Sequence, residues 1–289
     1  MKICMGVVLY YPNQSDLKRI ESYTNTVDKV IVFDNTDDGS NENSAFFTGA
    51  KNIQYISQRE NLGMARALNE LCKKAISNGY DYIITMDQDS IFNTSDISNL
   101  INYISSNRLD NIGIIAPRVH YLNKKSKVDK GNTTKKEMEQ KIEFVDWVIT
   151  SGSAINLNTF NMTKGFDEKY FIDRVDYDYC MELKKVAKKI ILVNNSFLYQ
   201  QLGEGTQNYF GFLYSEHSAL RNYYTFRNRL YYADKFMKGF RKVIYKFIGS
   251  IRHLLLIIIF DKNKYKKLKM IKRAFFDYTH GKMYKYMKN

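Results

Sequence analysis

The chain has little of what usually divides or staples a protein. Two prolines and no Gly/Ser-rich stretch in 289 residues leave no evident flexible linker, and no internal repeat is found. The three cysteines, Cys4, Cys72 and Cys180, stand singly in apolar or helical patterns without CxxC spacing. Zinc and disulfide readings are therefore poor, and a reduced, cytosolic setting fits best. A long hydrophobic run is missing too. The apolar stretch LLLIIIF has seven residues, and Lys246, Arg252 and His253 interrupt any longer window. A span needs about 20 largely apolar residues, so none is expected. The opening MKICMGVVLYYP lacks a small-residue cleavage site and reads as a first strand rather than a signal peptide. Acid and base balance everywhere except at one end. Residues 235–289 hold 16 Lys/Arg against Asp261 and Asp277, which accounts for the whole net charge of +14. A neutral body with a basic end implies a local anionic partner rather than general nucleic-acid affinity, and no nucleic-acid module is found.

What is present is an α/β pattern. The apolar runs ICMGVVLYY, DKVIVFDN, IQYISQ and YDYIITMDQD alternate with helical spacing over Ser15–Thr26 and with NLGMARALNELCKKAISNG, closed by Gly79. Such alternation predicts a mostly parallel sheet flanked by helices, with ligands beyond the carboxyl ends of its strands. Asp34, Asn35, Asp87 and Asp89 all fall at such ends. The pair in DQD is either solvated at the surface or built to hold a cation, because desolvating carboxylates without a partner is costly. Downstream, NIGIIAPRV reads as a strand and NKKSKVDKGNTTKKEMEQK as a mobile surface insertion. FVDWVITSGSAINL returns to the sheet, GFDEKYFIDRVDYDYCMELKKVAKK leads into a carboxylate-rich helix, and IILVNNSFLYQQLG closes the sheet. The expected organisation is a domain over 1–235 and a basic, amphipathic helical extension over 236–289.

In this order, VVLYYP, FDN, NLGMARALN, DQDS, SGSAI, GFDEKYFIDRVDYDYC and YYTFRN resemble the family 2 glycosyltransferases of the GT-A fold, particularly the bacterial rhamnosyltransferase branch. The likeness covers roughly residues 3–235. It implies a Rossmann-like nucleotide-diphospho-sugar transferase fold and an inverting transfer of a sugar. DQDS resembles the family's DxD motif. Alternate residues of an extended segment share a side, so Asp87 and Asp89 can converge. The resemblance gives Asp87 to the donor and Asp89 to a divalent metal, Mg²⁺ or Mn²⁺. Asp34 and Asn35 would contact the nucleotide base and ribose, though Asp-Asn-Thr also favours a turn. In NLGMARALN, Gly63 would allow close backbone approach, and Arg66 and Asn69 would face the nucleotide. Asp176 aligns with the catalytic base. A plain helix start is the competing reading, since acids favour a first turn. Asp173, Asp178 and Trp147 are candidates for the acceptor site, and Arg227 for neutralising the leaving diphosphate.

Two departures stand against the family pattern. Gln200 occupies the position of a histidine that some members use as a metal ligand, and Glu182 replaces an arginine near the site. The expected function is transfer of L-rhamnose from dTDP-L-rhamnose to a lipid-linked oligosaccharide during surface polysaccharide synthesis. The enzyme would be cytoplasmic and peripheral on the inner membrane face, its basic tail on anionic lipid. The alternatives are a UDP-sugar donor such as UDP-galactose or UDP-GlcNAc, or a non-catalytic nucleotide- or glycan-binding protein.

Overall fold

The computed structural model describes residues 1–37, 43–122, 141–200, 206–209 and 212–287. The polar insertion expected over 123–141 lies almost wholly outside them.

The first strand, β1 (Ile3–Leu9), is buried at all seven positions. It lies between two parallel neighbours, β2 (Val30–Asp34) and β4 (Tyr82–Asp87). With both edges paired and both faces covered, it reads as an unbroken apolar run rather than an alternating one. The strand β3 (Ile53–Ser57) extends this parallel half beside β2. Beyond β4 the sheet becomes mixed, through β5 (Ile91–Phe92), β6 (Ile112–Tyr121), β7 (Ile142–Val145), β8 (Ser153–Asn156) and β9 (Lys189–Gln200). These nine strands form one sheet in the order β3-β2-β1-β4-β8-β6-β9-β5, with β7 also on β9. A hairpin, β10 (Thr206–Tyr209) and β11 (Phe212–Ser215), forms a second small sheet.

Helices cover both faces. The helices α1 (Gln14–Ser22) and α4 (Thr94–Ser106) put Leu17, Ile20, Ile97 and Leu100 against one side. On the other lie α3 (Met64–Ser77), α5 (Leu157–Met162) and α6 (Val175–Lys185), packed through Leu68, Leu71, Phe160 and Tyr179. A short α2 (Asn43–Phe46) precedes β3. As the sequence predicts, Gly79 closes α3, taking a left-handed φ of 75°.

Register fixes the rim where a ligand would sit. Leu9 pairs with Asp34, Val8 with Asp87 and Asp34 with Ser57, so the ends of β1, β2, β3 and β4 lie level. The chain order reverses between β1 and β4, the usual position of a ligand crevice in open α/β sheets.

Three helices end the chain: α7 (Ala219–Phe236), α8 (Gly239–Phe260) and α9 (Lys264–Thr279). Ile257 of α8 and Ile271 and Ala274 of α9 pack on Tyr223, Tyr224, Phe226 and Leu230 of α7. The last residues are thus bound back onto the body. Among the described residues α8 is long and apolar enough, by length and composition, to cross a membrane. The sequence reading treated Lys246, Arg252 and His253 as interruptions of that helix. In the fold Lys246 turns inward to Asp234 and Tyr278, and His253 to Asn222. The opposite face exposes Phe240, Val243, Phe247, Ile251, Leu255 and Ile258 without a charge between them.

Candidate active site

Two adjacent residues tie the site's carboxylates together. They sit on the loop between β7 and β8, turned by Gly152 at φ +77°, where a Cβ would come within 3.0–3.2 Å of Pro117 and Leu198 side-chain atoms. Thr150 donates its backbone N–H (3.1 Å) and its hydroxyl (2.7 Å) to Oδ1 of Asp176, in the first turn of α6. Ser151 accepts the backbone N–H of Asp87 at 3.1 Å and donates to Ser90 at 2.9 Å. The aspartate at the end of β4 and the one at the start of α6 therefore share one support.

The electrostatics follow from this proximity. Burial, then the negative charges of Asp176 and Asp89, push Asp87 up to about 7, while Arg221 pulls the other way. Burial likewise raises Asp176, the Thr150 bonds draw it back, and Asp173 pushes it up again. Among the described residues Oδ2 of Asp176 has no hydrogen-bond partner, so one oxygen is anchored and the other is available. Beside it, Trp147 is 49% and Tyr177 37% exposed, and the two rings lie 4.6 Å apart. Exposed paired rings next to a carboxylate form an apolar wall of the kind that takes the C–H face of a sugar.

The segment leading to Asp176 is strained and held. Asp173 and Arg174 both take left-handed φ, 68° and 66°, unusual for non-glycine residues. Asn228, fully buried, donates to the carbonyls of Ile172 (2.7 Å) and Asp173 (3.3 Å). Asp173 accepts from Thr225 (2.6 Å) and Arg221 (3.3 Å). Arg174 lies 5.2–5.8 Å from the ring centres of Tyr177, Tyr232 and Tyr245. α7 thus supplies the clamp on the loop that carries Asp173.

Several residues chosen from the sequence fall elsewhere. Arg227 is 0% exposed, donating to Tyr223 and to the carbonyls of Tyr284, Lys282 and Lys169. It is spent on pinning the C-terminal segment to the body. Arg221, on the exposed side of the same helix, is the guanidinium whose charge reaches Asp87. Asp178 is 0% exposed and its carboxylate pairs with Lys235 at 2.8 Å. The same lysine also meets Asp167 and Glu182, which explains why an acid suits position 182. Asn69 is buried, and its amide accepts from the N–H of Phe166 and donates to the carbonyl of the same residue. A Cβ on Gly63 would come within 2.6 Å of the Phe171 carbonyl. The NLGMARALN segment is thus built to seat the 166–171 loop. Arg66 alone among its polar residues is exposed toward solvent near the start of α3.

At the base end of the rim, Asp34 is 0% exposed, accepting from Thr36, Asn43 and Tyr55. It organises the loop and cannot turn outward without breaking these bonds. Asn35 accepts from the N–H of Leu62 at 2.8 Å through Oδ1, which leaves its amide NH₂ as the donor available at this end of the sheet. Gln88, unremarked in the sequence, bonds both the N–H and the C=O of Tyr10, fixing the DQD turn to the end of β1. Asp89 is exposed and makes no hydrogen bond or ion pair among the described residues.

No three His, Cys, Asp or Glu side chains converge as a metal site among the described residues. Asp87 and Asp89 nevertheless fit a hard divalent ion, since Mg²⁺-type sites commonly use one or two carboxylates and complete their shell with phosphate oxygens and water. Burial first, and then the nearby charges of Asp176 and Asp89, push Asp87 up, and a cation between the carboxylates would relieve the second of these.

The fold is that of GT-A glycosyltransferases. GalNAc-T7, solved with UDP, GalNAc and Mn²⁺, superposes at a TM-score of 0.61 with 12% identity, covering 96% of this chain and 56% of its own. Staphylococcus aureus TarS 1–349 with UDP-GlcNAc superposes at 0.57 with 14% identity, covering 96% of this chain and 80% of its own. The chain belongs to glycosyl transferase family 2, whose model matches residues 16–160, and it is a glycosyltransferase. It is 25% identical over 225 residues to the dTDP-rhamnosyl transferase RfbF of Shigella flexneri, covering 75% of each chain.

Proposed function

We propose that this enzyme transfers L-rhamnose, with inversion, from dTDP-L-rhamnose to a lipid-linked saccharide during bacterial surface polysaccharide synthesis. It would work at the inner face of the cell membrane, with the apolar face of α8 and the surrounding lysines on anionic lipid. The observation that carries the chemistry is Asp176, with one oxygen anchored by Thr150 and the other unbonded beside an exposed aromatic wall. In this reading Oδ2 of Asp176 accepts the proton of the acceptor hydroxyl as that oxygen attacks the anomeric carbon. Trp147 and Tyr177 orient the acceptor ring, and Asp173 holds the loop that aims the base. On the donor side Asn35 meets the base, Asp87 the donor sugar-nucleotide, and Arg221 and Arg66 add positive charge toward the diphosphate. Asp89, with Asp87, would hold Mg²⁺ or Mn²⁺; when bound, the ion supplies Lewis-acid neutralisation of the leaving diphosphate. Positioning and electrostatics then account for most of the rate.

Support for rhamnose comes from the likeness to a dTDP-rhamnosyl transferase over three quarters of both chains. A UDP-sugar donor is the second reading, favoured by structural relatives solved with UDP and UDP-GlcNAc. Donor hydrolysis across a panel of dTDP- and UDP-sugars, with Mg²⁺, Mn²⁺ or EDTA, separates the two. Metal-dependent turnover of dTDP-rhamnose alone supports the first. Preference for a UDP-sugar sinks the rhamnose assignment and keeps the enzyme.

A further inference from the structure

We propose that the cleft between α7 and α8 binds the diphosphate of an isoprenoid-type amphiphile, the lipid end of the acceptor, a proposal that rests on the glycosyl-transfer reading above. A cavity of about 1220 Å³ opens there, and its lining includes Arg174, Arg229, Lys238, Arg241 and Arg252. Among the described residues no carboxylate lines it. None of these five cations forms an ion pair with another described residue.

Arg229 makes the deficit concrete. Its Nε and Nη2 are buried, with no hydrogen-bond partner among the described residues. A buried guanidinium left unpaired is costly, and its fork of donors matches phosphate oxygens. Burial, then the charges of Arg174 and Arg252, bring it down to about 10. Gly249 of α8 faces it, and a Cβ there would lie 3.1 Å from Nε, so a side chain at 249 would crowd the space around the guanidinium.

The two ends of the cleft define what fills it. Ile244 and Ile248 line it and are also exposed beside the outward apolar face of α8. A hydrocarbon chain can leave along them into a bilayer. At the other end Thr225, also in the lining, donates to Asp173, and Arg174 stands two residues before Asp176. A diphosphate in the cleft therefore presents a short attached saccharide to the base. The donor's own diphosphate belongs to the Asp87–Asp89 rim. A soluble nucleotide would have no use for the apolar exit.

The test is calorimetric binding of farnesyl diphosphate to the full-length chain, below the micelle threshold. Inorganic diphosphate, farnesol and phosphatidylglycerol vesicles are parallel arms, and dTDP and UDP binding is measured on the same samples. Farnesyl diphosphate should bind more tightly than either inorganic diphosphate or farnesol. Arg229→Gln and Arg252→Gln should each weaken it about ten- to hundred-fold, with nucleotide binding unchanged. Arg252 is exposed, so its variant keeps the test valid if Arg229→Gln folds poorly. Equal binding of inorganic diphosphate would assign the cleft to a soluble anion and overturn the proposal. So would undiminished affinity in both variants, or binding to vesicles alone. Failure here with nucleotide binding intact sinks the cleft only; loss of nucleotide binding in the unmodified chain sinks the glycosyl-transfer reading itself.

Discussion

Thr150 holds Asp176 by a single oxygen, giving it both a backbone N–H at 3.1 Å and a hydroxyl at 2.7 Å. Bonds to the ionised form favour ionisation, whereas burial and Asp173 oppose it. The hydroxyl is thus a control on when the base becomes competent. Thr150→Val removes one of two stabilising donors, so the pKa of Asp176 rises further. The acid limb of the kcat/KM–pH profile should move to higher pH, with donor affinity unchanged. A profile that stays in place would show that Asp176 does not govern that limb.

Asp87 gives the opposite kind of pH effect, on stability. Its folded value, about 7, lies above the ordinary 3.8, so between those values the folded state binds more protons than the unfolded one. Stability from this group is full at low pH and is lost as pH rises through 7. Asp87→Asn should therefore raise Tm at pH 8, by about 2–4 °C for each kcal/mol relieved. At pH 5, where Asp87 is already protonated, the gain should shrink. Thermal melts at the two pH values, without divalent metal, check the sign. Adding Mg²⁺ or Mn²⁺ should release protons from the site, seen as a dependence of binding enthalpy on buffer ionisation.

Arg221 and Arg227 lie on one helix and should fail differently. Arg227→Gln leaves three carbonyls of the C-terminal and 166–171 segments without their buried donor. A destabilisation of about 1–3 kcal/mol in denaturant unfolding is expected from the buried acceptors left unsatisfied. Arg221→Gln, at a half-exposed position, should cost little stability and lower kcat instead.

Charge on the outer face of α8 should separate membrane attachment from chemistry. Phe247→Asp and Ile251→Asp place carboxylates amid exposed apolar residues and contact neither Asp176 nor the cleft-facing arginines. Sedimentation with anionic vesicles should fall sharply, while hydrolysis of soluble donor stays at the unmodified level. Retained sedimentation would move the attachment surface to another part of the chain.

The frame of the molecule was legible because parallel strands buried on both faces leave unbroken apolar runs, and Asp34 and Asp87 end two of them. The pair of carboxylates at β4 and the acid at the start of α6 were readable for the same reason, as charge placed at element ends. The contacts that give them chemistry were not. Thr150 lies 26 residues from Asp176, and Ser151 lies 64 from Asp87, so no local spacing links them. Helix α4, by contrast, carries its own signal in the apolar stripe of Ile97, Leu100 and Ile104. The inward face of Arg227 depends on Tyr284 and Lys282, more than fifty residues away, and no local spacing shows it. Arg221 and Thr225, four residues apart on one helical face, both reach Asp173, a pairing that the helical spacing does contain. On α8 the sequence showed interruptions, and only the packing showed that Lys246 and His253 turn inward.

The most direct test of the central claim is the rate of sugar transfer by Asp176→Asn, measured beside nucleotide-sugar binding on the same preparation. With Asp176 as the base, kcat should fall about 10²–10⁴-fold while donor affinity stays within a few-fold of the unmodified enzyme. Transfer retained at near the original rate, with the same pH profile, would contradict it and place the proton acceptor elsewhere.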